Sequence, residues 1–145
     1  MATIKTVGII AKPGVEVAAR VIPELVNWLE ARGIAARCDE HAAAYCGRCE
    51  SHPREQVPDG TELVLVMGGD GTLLAAARAI GGRDVPLIAV NLGGLGFLTA
   101  ITVDELYPEL ERAFRNEHRI GKRRLLDCQV TRGGGLVSEY RALND

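Results

Sequence analysis

LVLVMGGDGTLLAAARAI, residues Leu63–Ile80, changes character twice within eighteen residues. Leu63–Met67 is a short, continuous apolar run, the mark of a strand buried on both faces. Gly68-Gly69-Asp70-Gly71-Thr72 follows without a gap, and Thr72–Ile80, rich in Ala and Leu, is a good helix former closed by Gly81-Gly82. A strand that runs through a glycine loop directly into a helix is the repeating unit of an α/β fold.

The flanks repeat this pattern. Thr6–Ala11 is a β-branched apolar run ended by Lys12-Pro13-Gly14. Val15–Arg32 carries Val17, Val21, Leu25, Trp28 and Leu29 at helical spacing and stops at Gly33. Pro23 lies inside it, which predicts a kink or a broken first turn. Ile34–Arg37 reads as a short strand, and Asp39–Gly60, polar and without sustained period, as a long loop with at most a turn of helix. Val85–Asn91 is another buried strand, with Gly93-Gly94-Leu95-Gly96-Phe97 beyond its carboxyl end. Val103–Arg115 reads as a helix, with Leu106, Leu110 and Phe114 at i, i+4 and i+8 and Pro108 in its first turns. The expected fold is therefore α/β and Rossmann-like, with a parallel sheet covered on both faces. Both glycine loops fall at the carboxyl ends of strands, where such sheets bind ligands.

Beyond Ile120 the pattern changes to two strands, Arg123–Arg132 and Leu136–Leu143, around Gly133-Gly134-Gly135. A lone hairpin is marginal in water. We expect residues 1–117 to form the α/β domain and residues 118–145 to begin a β-rich second domain whose remainder is absent. The alternative is a hairpin packed on the α/β domain.

Composition narrows the partners. The chain has 145 residues, 47% hydrophobic and 25% charged, enough apolar material for a core. Seventeen basic against nineteen acidic residues leave a net charge of −2, with no basic excess to drive nucleic-acid binding. Aromatics at 4% are too sparse for base-stacking platforms. No apolar run approaches the ~20 residues of a membrane span. MATIKTVGII lacks signal-peptide architecture, so the expected location is cytoplasmic, away from membranes.

Cys38, Cys46, Cys49 and Cys128 are the cysteines. The first three cluster with His41 and His52, and Cys46 and Cys49 have CxxC spacing. Cys38, Cys46, Cys49 and His52 form a candidate metal set, with His41 a further donor. The expected reading is reduced thiols on a surface insertion, with the metal set as the alternative.

The chemistry concentrates at Gly68–Thr72. Glycines let backbone approach a ligand closely, and the N–H groups opening the next helix attract phosphate. A carboxylate there would only repel an anion, so Asp70 makes sense if it serves a second purpose. It could accept a proton from a hydroxyl nucleophile, orient that hydroxyl, or help to hold magnesium. That combination points to phosphoryl transfer to an alcohol. The alternative is Asp70 as a simple helix N-cap. The spacing is neither a Walker A loop nor GxGxxG. In the second loop, Phe97 either covers a nucleotide ring or plugs the core.

GGDGTLLAAAR (Gly68–Arg78), NLGGLGFLT (Asn91–Thr99) and ALND (Ala142–Asp145), in this order and spacing, resemble the NAD kinase family. GGDGT by itself also occurs in lipid kinases of the diacylglycerol and sphingosine type, and phosphofructokinases have a close variant; the NLGxLGFLT stretch selects NAD kinase. The resemblance covers the whole chain but only about the N-terminal half of a family member. It implies transfer of a phosphoryl group from ATP or polyphosphate, with a divalent cation such as magnesium, to the 2′-hydroxyl of the adenosine ribose of NAD, making NADP. It makes Asp70 the proton acceptor and assigns Gly68, Gly69, Gly71, Thr72, Phe97, Asn144 and Asp145 to substrate or nucleotide binding. It also implies an α/β domain followed by a β-rich one, assembled as a homo-oligomer. The family's later motifs are missing, so the 145-residue chain alone is expected not to turn over NAD. A lipid kinase or a non-catalytic nucleotide-binding module are the competing readings.

Overall fold

The computed structural model describes residues 3–93, 101–117, 120–122 and 124–142. β1 (Thr6–Ala11), α1 (Glu16–Ala31), β2 (Ala35–Asp39), α2 (Glu40–Cys46) and β3 (Ser51–His52) form the first half of an α/β layer. A 3₁₀ turn at Arg54–Gln56 leads to β4 (Leu63–Gly68), α3 (Asp70–Ile80), β5 (Leu87–Asn91) and β6 (Ile101–Thr102). A second 3₁₀ turn at Val103–Glu105 runs into α4 (Leu106–Phe114). The strands β1 to β6 make one six-stranded sheet in the order β3-β2-β1-β4-β5-β6, and every pairing is parallel.

The apolar runs are continuous because both faces of the sheet are covered. In β4, Leu63, Leu65 and Met67 pack with Val7 and Ile9 of β1 against α1, α2 and α4. Val64 and Val66 point the other way, with Ile10, onto Val57 and onto Leu73, Ala76 and Ile80 of α3. Period-two alternation of side chains thus serves two separate cores. Fully burying a leucine such as Leu25 or Leu65 is worth about 1.5–3 kcal/mol. Trp28 of α1 joins the outer end of the first core. Its ring lies 5.0 Å from that of Tyr107 and 5.8 Å from that of Phe114 in α4, with the Arg32 guanidinium 3.6 Å above it.

Three expectations are corrected here. Pro23 does not break the first turn of α1, which runs unbroken from Glu16 to Ala31. The proline removes one N–H, but Ala19, whose carbonyl loses that donor, is exposed to water, while Ile22, Leu25 and Val26 hold the helix on the core. The stretch 39–60 is not a long loop, since it contains α2, β3 and a 3₁₀ turn. The strand expected at 34–37 is β2, over 35–39. Its last residue, Asp39, caps α2 by accepting the N–H of Ala42 at 2.8 Å. The two-residue strand β6 has no counterpart in the sequence pattern. Glu105 reaches back to the Thr102 N–H at 3.1 Å and opens the following helical turns.

β7 (Leu126–Arg132) and β8 (Gly135–Ala142) form the expected antiparallel hairpin. Its turn uses Gly133 and Gly134 at φ 60° and 81°, a region closed to most side chains. Leu126, Val130, Leu136, Val137 and Tyr140 are all more than half exposed on it.

Candidate functional site

The chain leaves β1 toward β2 and β3, then returns past β1 to build β4, β5 and β6 on its other side. The order reverses between β1 and β4, and the connections after these two strands diverge to opposite faces. In an open α/β sheet the crevice that takes ligands lies outside the carboxyl ends of two such strands. Lys12 stands at the end of β1, Gly68 at the end of β4 and Asn91 at the end of β5. The three ends are tied together: the Lys12 N–H donates to the Met67 carbonyl at 3.0 Å, and the Leu92 N–H to the Gly68 carbonyl at 3.0 Å. The Gly93 N–H donates to Asn91 Oδ1 at 3.0 Å, which folds the start of the second glycine loop into an Asx turn.

Gly68, Gly69 and Gly71 have different jobs in the first loop. A β-carbon on Gly68 would lie 2.5 Å from Thr72 Oγ1, 2.8 Å from Thr72 Cβ and 3.1 Å from Lys12 Cβ. Gly68 is therefore demanded by internal packing: the buried Thr72 side chain folds over it, and the Lys12 stem lies alongside. Around Gly69 and Gly71, by contrast, nothing stands within 4 Å of such an atom. Those two glycines face open space at the crevice.

Asp70 is the first residue of α3 and Gly69 is its N-cap, with no side-chain capping bond. The Gly69 carbonyl accepts the first helical hydrogen bond, from Leu73 at 3.0 Å. The simple N-cap reading of Asp70 is thus corrected: backbone geometry gives that place to Gly69. Asp70 is half-buried beside the helix N-terminus, where the first N–H groups have no acceptor within the helix and the dipole is positive. Lys12, exposed at the neighbouring strand end, adds a cation that the sequence pattern marks only as the end of a strand. Its signal is the basic residue that closes the first apolar run, but its nearness to Gly68 is a tertiary fact. Arg78 lies exposed in the last turn of α3, away from the loop. Phe97, Asn144 and Asp145 lie outside the described residues.

The Cys/His cluster does not converge. Cys38 is fully buried in the first core, and burial, with a smaller contribution from the Asp39 charge, pushes its thiol up to about 11. Cys46 and Cys49 are joined to each other as a disulfide, in place of the expected reduced thiols. His52 sits on β3 opposite Asp39. Among the described residues no group of three or more His, Cys, Asp or Glu side chains is arranged to hold a metal ion. On this side of the crevice a cleft of about 340 Å³ is lined by Asp39, Glu40, His41, Pro53, Arg54 and Glu55. Among the described residues no helix is long and apolar enough to cross a membrane.

Comparison with known proteins gives the family and the fold. Residues 7–118 match the model of the ATP-NAD kinase N-terminal domain. The NAD kinase of Solibacter usitatus is 57% identical over 145 residues, all of this chain and 50% of the relative. That of Geobacter sp. strain M21 is 45% identical over 144 residues, 97% of this chain and again 50% of the relative. Yeast NADH kinase complexed with NADH superposes with a TM-score of 0.82 at 19% identity, over 98% of this chain and 47% of that one. An NAD kinase from Archaeoglobus fulgidus in complex with ATP gives a TM-score of 0.58 at 15% identity, over 90% of this chain and 45% of that one. At these identities the two structures speak for the fold. The chain spans about half the length of the curated relatives it matches. With a family match over most of its length and a glycine loop at the reversal point of its sheet, the chain belongs to the ATP-NAD kinase family, of which it carries the N-terminal domain.

Proposed function

We propose that the whole protein is an NAD kinase, and that the crevice between β1 and β4 is where its phosphoryl donor and the NAD ribose meet. The observation that carries this reading is a half-buried carboxylate, Asp70, at a helix N-terminus flanked by two glycines with open space above them. The 2′-hydroxyl oxygen of the adenosine ribose attacks the terminal phosphorus of ATP. The bond from that phosphorus to the bridging oxygen breaks, ADP leaves, and the hydroxyl proton passes to the Asp70 carboxylate. Gly69, Gly71 and Thr72 supply backbone donors to the phosphates, and Lys12 supplies charge. Such contacts suit a triphosphate or a polyphosphate alike. Gly68 lets Thr72 close over the strand end and keeps these donors in place.

Asp70 also has the chemistry of a magnesium ligand. In phosphoryl transfer this ion is held mainly by phosphates and water with one or two carboxylates, and it offsets phosphate charge when bound. Phe97, Asn144 and Asp145 complete the adenosine side: an amide and a carboxylate suit hydroxyl and exocyclic amine donors. The exposed apolar residues of the β7–β8 hairpin suit a β-rich second domain beginning at residue 118, with the active protein a cytoplasmic homo-oligomer. The test is Asp70→Asn in the whole protein, followed by NADP formation. Removal of a general base costs about 10²–10⁴-fold in rate. A loss under about threefold would remove Asp70 from that role.

A further inference from the structure

The loop that presents Lys12 is held by a segment that lies outside the crevice. β2 pairs with β1 only as far as Cys38 opposite Ile9, so the backbone of Ala11 has no strand partner on that side. Two side chains replace the missing strand. The Ala11 N–H donates to Asp39 Oδ2 at 3.4 Å, and the Ala11 carbonyl accepts from Arg54 Nη2 at 3.1 Å. Arg54 in turn pairs with Asp39 Oδ2 through Nε and Nη2, at 3.2 and 3.1 Å. This fixes the stem of the loop. The tip, Lys12-Pro13-Gly14, is exposed, and Val15, the N-cap of α1, has no side-chain capping bond.

The Lys12 N–H ties the near end of the tip to the Met67 carbonyl at 3.0 Å, and one hydroxyl spans the tip itself. Tyr45, near the end of α2, donates to the Lys12 carbonyl at 2.7 Å and accepts the Val15 N–H at 2.9 Å. It therefore bridges both ends of the turn. Its own place is constrained three ways. The ring packs on the first core. The neighbouring Cys46 is tied to Cys49. Arg48, within that short turn, is anchored to α1 through Glu30 Oε1 and Oε2, both at 3.0 Å, and Asn27 Oδ1 at 2.6 Å.

We propose that Tyr45 is a positioning residue for the nucleotide site: its hydroxyl holds the turn that sets Lys12 beside the Gly68–Thr72 loop, where the Lys12 ammonium meets the phosphates of the donor. The proposal rests on the kinase reading above. Tyr45 touches no reacting atom, and its effect is transmitted through Lys12. A side chain that only stabilised the fold would change melting and leave affinity alone. One that positions Lys12 changes affinity, and only while Lys12 is present.

The experiment is a double-mutant cycle in the whole protein with Tyr45→Phe and Lys12→Ala. ADP affinity is read by calorimetry, NADP formation by a coupled assay and the fold by thermal melting. Phenylalanine keeps the ring in the core and removes both hydrogen bonds. Their loss leaves the binding-competent turn a minority state, and ADP binding weakens by about tenfold. In the Lys12→Ala background, Tyr45→Phe then has no further effect. Exchange of the Val15 amide hydrogen accelerates in Tyr45→Phe whatever the activity. Unchanged ADP affinity in Tyr45→Phe, equal losses with and without Lys12, or unchanged Val15 exchange overturns the proposal. Absence of both ADP binding and NADP formation in the unsubstituted protein overturns the kinase reading and this proposal with it. NADP formation with an additive cycle overturns the positioning role alone.

Discussion

Two glycines three residues apart in the same loop should respond to alanine in opposite ways. At Gly68 the new methyl would sit 2.5 Å from Thr72 Oγ1 and 2.8 Å from Thr72 Cβ. Thr72 is buried in the first turn of α3, so its β-carbon cannot swing aside as the tip of a long side chain would. The helix start must back away from the strand end, and overpacking of this kind costs about 1–3 kcal/mol. At Gly71 the methyl meets nothing within 4 Å, and the backbone is not in the left-handed region. Alanine is the better helix former, so Gly71→Ala should leave stability unchanged or raise it by up to about 1 kcal/mol. If phosphates lie against that backbone, the same methyl intrudes on the ligand. An intrusion of about 1–3 kcal/mol raises the KM for ATP by about fivefold to 150-fold. Urea denaturation gives the stabilities, and initial rates of NADP formation by the whole protein give the KM. A Gly71→Ala enzyme with KM within about twofold of the unsubstituted protein refutes the idea that the glycine admits a ligand. A Gly68→Ala protein of full stability refutes the packing assigned to Thr72.

Two further predictions concern the framework beneath the site. The buried Cys38 thiol titrates near pH 11 in the folded chain, against about 9 when exposed. Below pH 9 both states keep the proton and stability is flat. Above it the unfolded chain ionises first, so stability falls by roughly 3 kcal/mol as pH rises to about 11, and Cys38→Ala removes this slope from denaturation curves taken across that window. Asp39→Ala leaves the part-buried Arg54 guanidinium without its carboxylate and takes the cap from α2, which should cost about 3–5 kcal/mol and lower the melting temperature. Asp39→Asn, which can still accept the Ala42 N–H, should cost less in the same melting experiment.

Much of the fold is open to a reader of the residues. β1, β4 and β5 announce themselves as apolar runs, because a strand buried on both faces needs no polar alternation. The β7–β8 hairpin is marked by its three successive glycines. α2 is hidden because Glu40–Cys46 is short, with an Ala-rich middle and no amphipathic period long enough to stand out. It exists because Asp39 caps it and because Ala42 and Ala43 are buried in the first core. β3 and β6 have two residues each and are strands only through their neighbours. At the site, Gly68–Thr72 is recognisable from type and order alone, whereas Lys12 and Tyr45 are not.

The residues alone decided that the chain would form a parallel α/β layer with a glycine-rich strand-to-helix loop and a carboxylate inside it. Those properties depend on hydrophobic periodicity and on the local conformations glycine allows, both carried by consecutive residues. Only the tertiary structure decided that strand order reverses between β1 and β4, that Gly68 serves packing while Gly71 faces open space, and that Tyr45 bridges the turn after β1. The strand order and the Tyr45 bridge are contacts between residues far apart along the chain, and the room around each glycine depends on how strand and helix stack about it.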